Sequence, residues 1–378
     1  MNELKRVLVL YAGGTIGMQK NFNGVLCPKP NAFLNEIKHH PDLHDPNWTI
    51  EELGKKLEFN ELVLPKNYGH QKIIYEIIEY TPLLDSSNMS CKDWIRLASD
   101  IEYHYNNYDG FVILHGTDTL GYTSSALSFM LDGLQKPVIV TGSQIPIFES
   151  RSDARDNFAA SLVIAGLFDI PEVCVFFANK LFRGNRVAKI STNSLDAFDT
   201  PNYHPLVEVG IGFSINEHYI RKVDYNKPFK VYTDLNPNVA VLSFFPTITS
   251  EMVESFLRLP LEGVVIQSFG TGNVPSKPRG LLEVLKQAVL RNTLIVNITQ
   301  CSKGTVISSS YETGKVLDEI GVVSGEDMTV EAALTKLTYV LGLPGLSFSQ
   351  RIAVILNISF TYLLFLPNCI HIRFNLIS

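Results

Sequence analysis

The chain has 378 residues, 46% apolar, 10% aromatic and 19% charged. At about 100–200 residues per domain this predicts two domains with sizeable cores, and it excludes a disordered chain. The net charge of −6 carries no basic footprint for nucleic acid, and the five scattered cysteines, Cys27, Cys91, Cys174, Cys301 and Cys369, form no C-x-x-C pair that would argue for a disulfide framework or a zinc site.

In chain order, residues 7–11 read as a buried strand. Five apolar residues cut off by Gly13-Gly14 are too few for a signal-peptide core, so no secretion signal is expected. A reducing, cytoplasmic setting fits the unpaired cysteines. Ser90 and Asp93 make an S-x-x-D cap, after which Trp94, Leu97, Ala98, Ile101 and Tyr105 fall on one helical face. Residues 110–114, 137–140 and 173–177 read as further buried strands, and 119–134 is long enough for a helix between the first two. Residues 224–238 are polar, carry Pro228 and Pro237, and read as a linker. Beyond it, strands are predicted at 239–245, 263–268 and 294–298, with helices at 251–259, 280–291 and 330–341. This alternation predicts an α/β fold. A larger N-terminal α/β domain with a mostly parallel sheet spans 1–223, and a smaller C-terminal α/β domain spans 239–350. An atypical apolar tail follows over 351–378.

Ligands of open α/β sheets bind beyond the carboxyl ends of the strands. The residues there are polar: Gly13-Gly14-Thr15, His115-Gly116-Thr117-Asp118-Thr119, Thr141-Gly142-Ser143-Gln144, Phe269-Gly270-Thr271-Gly272-Asn273 and Thr299-Gln300-Cys301. The first is neither a G-x-G-x-x-G loop nor a P-loop. Two glycines do permit a tight turn that presents the Thr15 hydroxyl beside free N–H groups, the needs of a nucleophile with an oxyanion hole; a capped strand–helix turn is the plainer alternative. The second loop offers another hydroxyl, Thr117, beside the carboxylate of Asp118. An alcohol needs a base to attack at neutral pH, and Asp118 or Lys189 could supply it, although by spacing alone Lys189 reads first as a solvated surface charge. Alternatively, Asp118 binds a substrate ammonium, or simply caps the next helix. Asp85, Ser86, Ser87 and Asn88 could orient a small polar ligand or cap the helix that follows. The histidines His39, His40 and His44 lie in a Pro-bearing stretch and are not expected to bind metal. No G-x-S-x-G elbow, EF-hand loop or H-E-x-x-H occurs.

Residues 11–18, YAGGTIGM, and 115–119, HGTDT, resemble the two signatures of the bacterial-type L-asparaginases. The stretches 85–89, 126–131, 136–146, 183–186 and 327–332 resemble the cytoplasmic, type I branch, which includes the asparaginase domain of the animal 60 kDa lysophospholipases. The resemblance runs from residue 4 to about 346. It implies hydrolysis of L-asparagine to L-aspartate and ammonia, with no metal or organic cofactor. It implies Thr15 as the nucleophile of a covalent acyl-enzyme and Thr117, Asp118 and Lys189 as a second catalytic group. Asp85, Ser86, Ser87 and Asp118 are implied to bind substrate. A homo-oligomer, dimer or tetramer, is implied as well, while no nucleic-acid or membrane partner is expected. Glutamine differs from asparagine by one methylene, worth about 1–3 kcal/mol of discrimination, so weak glutaminase activity is expected. Rival readings are an inactive binding or regulatory protein on the same fold, and a lysophospholipase-type hydrolase.

Two departures stand out. Residues 19–28 hold no tyrosine where the family commonly places one; either another hydroxyl substitutes, with Tyr311, from this chain or a neighbouring subunit, the candidate, or Thr15 is less well activated. Ala12 stands where the signature often has threonine, with little expected effect. Cys301 could line a regulatory site of the type I branch, with a buried free thiol favoured over it. From 352 to 378, 18 of 27 residues are apolar. An atypical splice form or gene-model read-through is the leading expectation for this tail, ahead of a core-packing or subunit-contacting segment and a tail anchor.

Overall fold

In a computed structural model that describes residues 4–48, 57–65, 71–275, 280–307 and 312–356, the strand Leu4–Gly13 is an interior strand, third from one edge of a nine-stranded sheet. Its residues 7–13 are buried throughout, because neighbours cover both faces. Leu8 and Leu10 point into one core, with Trp94, Leu97, Leu127 and Met130, while Val7 and Val9 point into the other, with Phe158, Leu162 and Ala165. The first core therefore takes the helices Cys91–His104 and Leu120–Met130, and the second takes Ala154–Leu167.

The spatial order is Phe213–Ile215, Val207–Val209, Lys180–Arg183, Val173–Phe177, Val138–Thr141, Gly110–Leu114, Leu4–Gly13, Lys72–Leu84 and Glu61–Val63. The five strands from Val173–Phe177 to Lys72–Leu84 run parallel, and the outer strands at both ends pair antiparallel. A second, parallel sheet orders Val239–Ser243, Gly263–Ser268, Leu294–Thr299 and Val323–Ser324. The mixed α/β class, with a larger parallel-centred unit followed by a smaller one, is as expected. Val265, Leu294, Leu337 and Val340 of the second unit join the same core cluster as Leu8 and Leu127, so the two units share apolar packing.

The predicted helix after Ser90 is present with its reciprocal cap: the Ser90 N–H donates to the Asp93 carboxylate at 2.9 Å. The helix expected over 119–134 stops at Met130, because residues 131–132 turn into a short ladder with Lys230–Val231. The stretch expected to be a linker thus contributes one short strand, Lys230–Val231. Several elements have no counterpart in the sequence reading, the longest being the strand Lys72–Leu84 and the helix Ala154–Leu167.

The first part of the tail is a helix, Phe348–Leu356. Val354 and Ile355 are buried in the shared core, and the Lys336 ammonium donates to the Ile355 carbonyl at 2.7 Å. A cation on one of the last carbonyls of a helix satisfies an orphan acceptor and complements the dipole. Up to Leu356 the tail is therefore a core-packing segment; the remainder lies outside the described residues. Among the described residues no helix is long and apolar enough to cross a membrane. Ile355, 1% exposed, gives a direct test. Ile355→Ala should cost about 2–5 kcal/mol in urea unfolding. A loss under about 0.5 kcal/mol, the range of ordinary surface changes, would mean the helix does not dock.

Candidate active site

The strand Leu4–Gly13 ends in a turn that only glycine can make. Gly14 has φ 94° and ψ 173°, a region open essentially to glycine, and it leads into a single 3-10 turn, Thr15–Gly17. A Cβ on Gly13 would overlap the backbone of Leu84, and one on Gly14 would overlap the backbone of Gly116. The two glycines thus let three strand ends converge. Thr15 is half-buried there, between buried Gly14 and Ile16. The antiparallel hairpin Met18–Lys20 with Leu26–Pro28 follows at once and holds Phe22 fully exposed between its strands.

Opposite, Gly116 sits so close to Ser86 that a Cβ would overlap the serine Oγ. The Thr119 hydroxyl donates to the Ser86 carbonyl at 2.7 Å, tying this loop to the short helix Ser86–Asn88. Ser86 is buried while Asp85 and Ser87 are exposed. The Asp85 carboxylate accepts the Ser87 N–H at 3.1 Å, so it caps its own turn.

Thr117 is buried, and its hydroxyl is engaged twice. The Lys189 ammonium donates to Thr117 Oγ1 at 2.8 Å and to Asp118 Oδ1 at 2.7 Å. Thr117 in turn donates to Gln144 Oε1 at 3.3 Å, and Gln144 Nε2 donates to the Ser194 carbonyl at 3.1 Å. Lys189 is brought in on the two-residue strand Ala188–Lys189, paired with Phe198–Asp199. Its side chain is 19% exposed against 64% for Asp118. The arrangement is a hydroxyl, an amine and a carboxylate in one hydrogen-bonded group, with the carboxylate open to solvent. Asp118 also precedes the N-terminus of the helix Leu120–Met130, whose unpaired N–H groups favour negative charge nearby.

His115 lies beneath this loop, 1% exposed. Its Nδ1 is 2.7 Å from the Gly116 carbonyl and its Nε2 is 2.9 Å from Thr123 Oγ1, which accepts the Trp94 indole N–H at 3.0 Å. Burial pushes the imidazole down to about 4, against smaller opposing effects of the Gly116 hydrogen bond and Asp93. The folded chain therefore binds the His115 proton less readily than the unfolded chain, where it titrates near 6.5. Stability from this group is complete above about pH 6.5 and is lost as the pH falls toward 4. At pH 5 the loss is about 2 kcal/mol relative to pH 7.5. His115→Asn removes the term, so urea unfolding of the two proteins should converge by that amount between these pH values. An unchanged difference would mean His115 titrates normally.

Residues 6–221 match the asparaginase N-terminal domain family, and residues 238–350 match the glutaminase/asparaginase C-terminal domain family. The chain belongs to the asparaginase family. It is 47% identical over 340 residues to an L-asparaginase of Dirofilaria immitis, covering 90% of this chain and 57% of that one. It is 44% identical over 351 residues to the 60 kDa lysophospholipase of Mus musculus, covering 93% of this chain and 61% of that one. The chain thus spans about 60% of the length of these two relatives. The crystal structure of L-asparaginase I from Vibrio cholerae superposes with a TM-score of 0.80 at 37% identity, covering 94% of this chain and 98% of that one.

Within this family fold, the residues singled out by sequence gather from widely separated segments. Thr117, Asp118 and Lys189 form one hydrogen-bonded group, and Thr15, Thr117 and Ser86 sit on loops in mutual contact through Gly14 and Gly116. Tyr311 lies outside the described residues. Cys301 is exposed, which overturns the buried-thiol expectation: it follows the end of the strand Leu294–Thr299 on the surface, its N–H held by Thr299 Oγ1 at 3.0 Å. Sequence reasoning gave no role to Gln144, Trp94 or Thr123. Gln144 ends a polar run after a buried strand and was visible in that sense; nothing in the spacing of Trp94 and Thr123 connects them to His115.

Proposed function

We propose that this chain hydrolyses L-asparagine to L-aspartate and ammonia through an acyl-enzyme on Thr15. The observation that carries the reading is the Thr117–Lys189–Asp118 group, held on a loop that touches the Thr15 turn. Thr15 Oγ attacks the side-chain amide carbon, and its proton passes to the departing nitrogen, which leaves as ammonia. Water then attacks the threonyl ester, releasing aspartate and restoring the Thr15 hydroxyl. An amide is a poor electrophile, and splitting the displacement in two lowers each barrier. Thr117, with Lys189 and Asp118, moves the proton in both halves; such help contributes about 10²–10⁴-fold.

Asp118 offers its solvent-facing oxygen to the substrate ammonium while the other holds Lys189. Ser86 takes the substrate carboxylate, with Asp85 and Ser87 shaping that end of the pocket. Tyr311, from this chain or a neighbouring subunit, is the proposed substitute for the family's loop tyrosine, and an unchanged kcat in Tyr311→Phe would remove it from the mechanism. The catalytic domain is placed at 1–223, the linker at 224–238 and the second domain at 239–350. A cytoplasmic homodimer or homotetramer is the assembly proposed, on the strength of the family resemblance, and sedimentation of the full chain tests it.

A second reading is favoured by the mouse relative's description as a lysophospholipase. It lacks support from the residues, since no G-x-S-x-G elbow is present. One set of assays separates them: ammonia and aspartate from asparagine, ammonia from glutamine, and fatty acid from lysophosphatidylcholine, all with the same preparation. Equimolar ammonia and aspartate, with glutamine kcat/KM about 10–200-fold lower, is expected. Fatty-acid release without ammonia would replace this reading by the second.

A further inference from the structure

We propose that His115, as the neutral imidazole with its proton on Nδ1, is a positioning residue that sets the Gly116–Thr117 peptide and through it both threonine loops. The tautomer follows from its partners. A carbonyl oxygen can only accept, so Nδ1, 2.7 Å from the Gly116 carbonyl, carries the hydrogen. Nε2 is then the acceptor, and the Thr123 hydroxyl donates to it at 2.9 Å. Thr123 Oγ1 is left to accept from Trp94 Nε1 at 3.0 Å. Three side chains from a strand end and two helices are thereby satisfied in one direction of donation, and each is buried.

The pinned carbonyl is the consequential one. In a trans peptide the Gly116 C=O and the Thr117 N–H point in opposite directions, so holding one aims the other. Gly116 is also the surface against which Gly14 packs, too close for any Cβ, and Gly14 leads directly into Thr15. The His115 main chain is braced as well: its backbone N–H donates to the Thr141 carbonyl at 2.9 Å, and a Cβ on Gly142 would overlap its carbonyl oxygen. Asp93, on the helix Cys91–His104, is the charged group that acts on the ring. A rotation of the Gly116 peptide would displace Thr117 from Lys189 and open the Gly14 contact together.

The kinetic part of this inference rests on the asparaginase reading, and the spectroscopic part does not. In ¹⁵N-histidine-labelled full-length protein, the His115 resonances, assigned by their loss in His115→Asn, should show protonated Nδ1 and bare Nε2, without titration from pH 5.5 to 8. In kinetics, His115→Asn keeps a donor at the Nδ1 position and should retain kcat within about tenfold. His115→Gln, which places its amide at the Nε2 position, should lose about 100-fold in kcat with KM little changed, the scale of a misplacement near 1 Å. Thr123→Val should fall between them. A merely structural role would lower the melting temperature of all three without separating Asn from Gln in kcat per folded molecule; that result overturns the inference. An Nε2–H tautomer, or a titrating His115, overturns it even where the variants fail to fold. Wild-type protein inactive on asparagine would sink the functional reading instead, leaving the tautomer to decide this one.

Discussion

Thr15→Ala is expected to lower kcat/KM for L-asparagine by at least about 10⁴-fold, the scale on which loss of a nucleophile acts in a cooperating catalytic group. Thr15 is half-buried at the start of a 3-10 turn, and the helical geometry there is carried by the Met18 N–H to Thr15 carbonyl bond, which alanine keeps. The variant should therefore unfold at the same urea concentration as the wild type. Asparagine binding, measured by calorimetry on the inert variant, should persist, since Asp118 and Ser86 are untouched. Thr15→Ser should recover part of the rate because it keeps the hydroxyl. Full activity in Thr15→Ala would move the nucleophile elsewhere, with Thr117 the first candidate.

Gly14→Ala should be nearly as damaging for a different reason. At φ 94° and ψ 173° an alanine sits where side chains are essentially not found, at a cost of order 1–3 kcal/mol. Its Cβ would also overlap the Gly116 backbone, which cannot yield as a flexible side chain does. The loops must separate, and kcat should fall at least about 100-fold. Gly24 is the control: it also has positive φ, 77°, but a Cβ there meets nothing within 4 Å. Gly24→Ala should cost stability alone, with kcat close to that of the wild type. Equal kcat losses at both positions would show that strain in the backbone, and not the Gly14–Gly116 contact, controls the site.

The contrast between those two glycines shows what sequence reading reaches. Gly13-Gly14 was legible as a tight turn after a buried strand, while spacing alone left a nucleophilic Thr15 behind the plainer reading of a capped turn. That Gly14 is needed for its contact with Gly116, about 100 residues on, depends on neighbouring parallel strands ending side by side, which no local pattern encodes. Lys189 is the same case: by spacing it is one more lysine, and only the pairing of Ala188–Lys189 with Phe198–Asp199 carries it to Thr117. The strand Lys72–Leu84 was not read because the apolar residues of its first part, at 73, 74, 75, 77, 78 and 80, suit a helix as well as a strand buried on both faces. Ala154–Leu167 is buried on nearly all sides, so it lacks the polar stripe that marks a surface helix. The family resemblance supplied roles that the spacing left open, and the fold supplies the contacts that make those roles chemically coherent.

In the proposed mechanism, the ester on Thr15 retains nothing of the leaving group it lost. Hydroxylamine at fixed concentration competes with water for such an ester, giving β-aspartyl hydroxamate and aspartate in a ratio set by the ester alone. L-asparagine and the β-methyl ester of L-aspartate should therefore give the same product ratio, and Thr15→Ala should form neither product from either substrate. A ratio that changes with the leaving group would mean that water and hydroxylamine attack the substrate directly, and it would contradict the covalent mechanism.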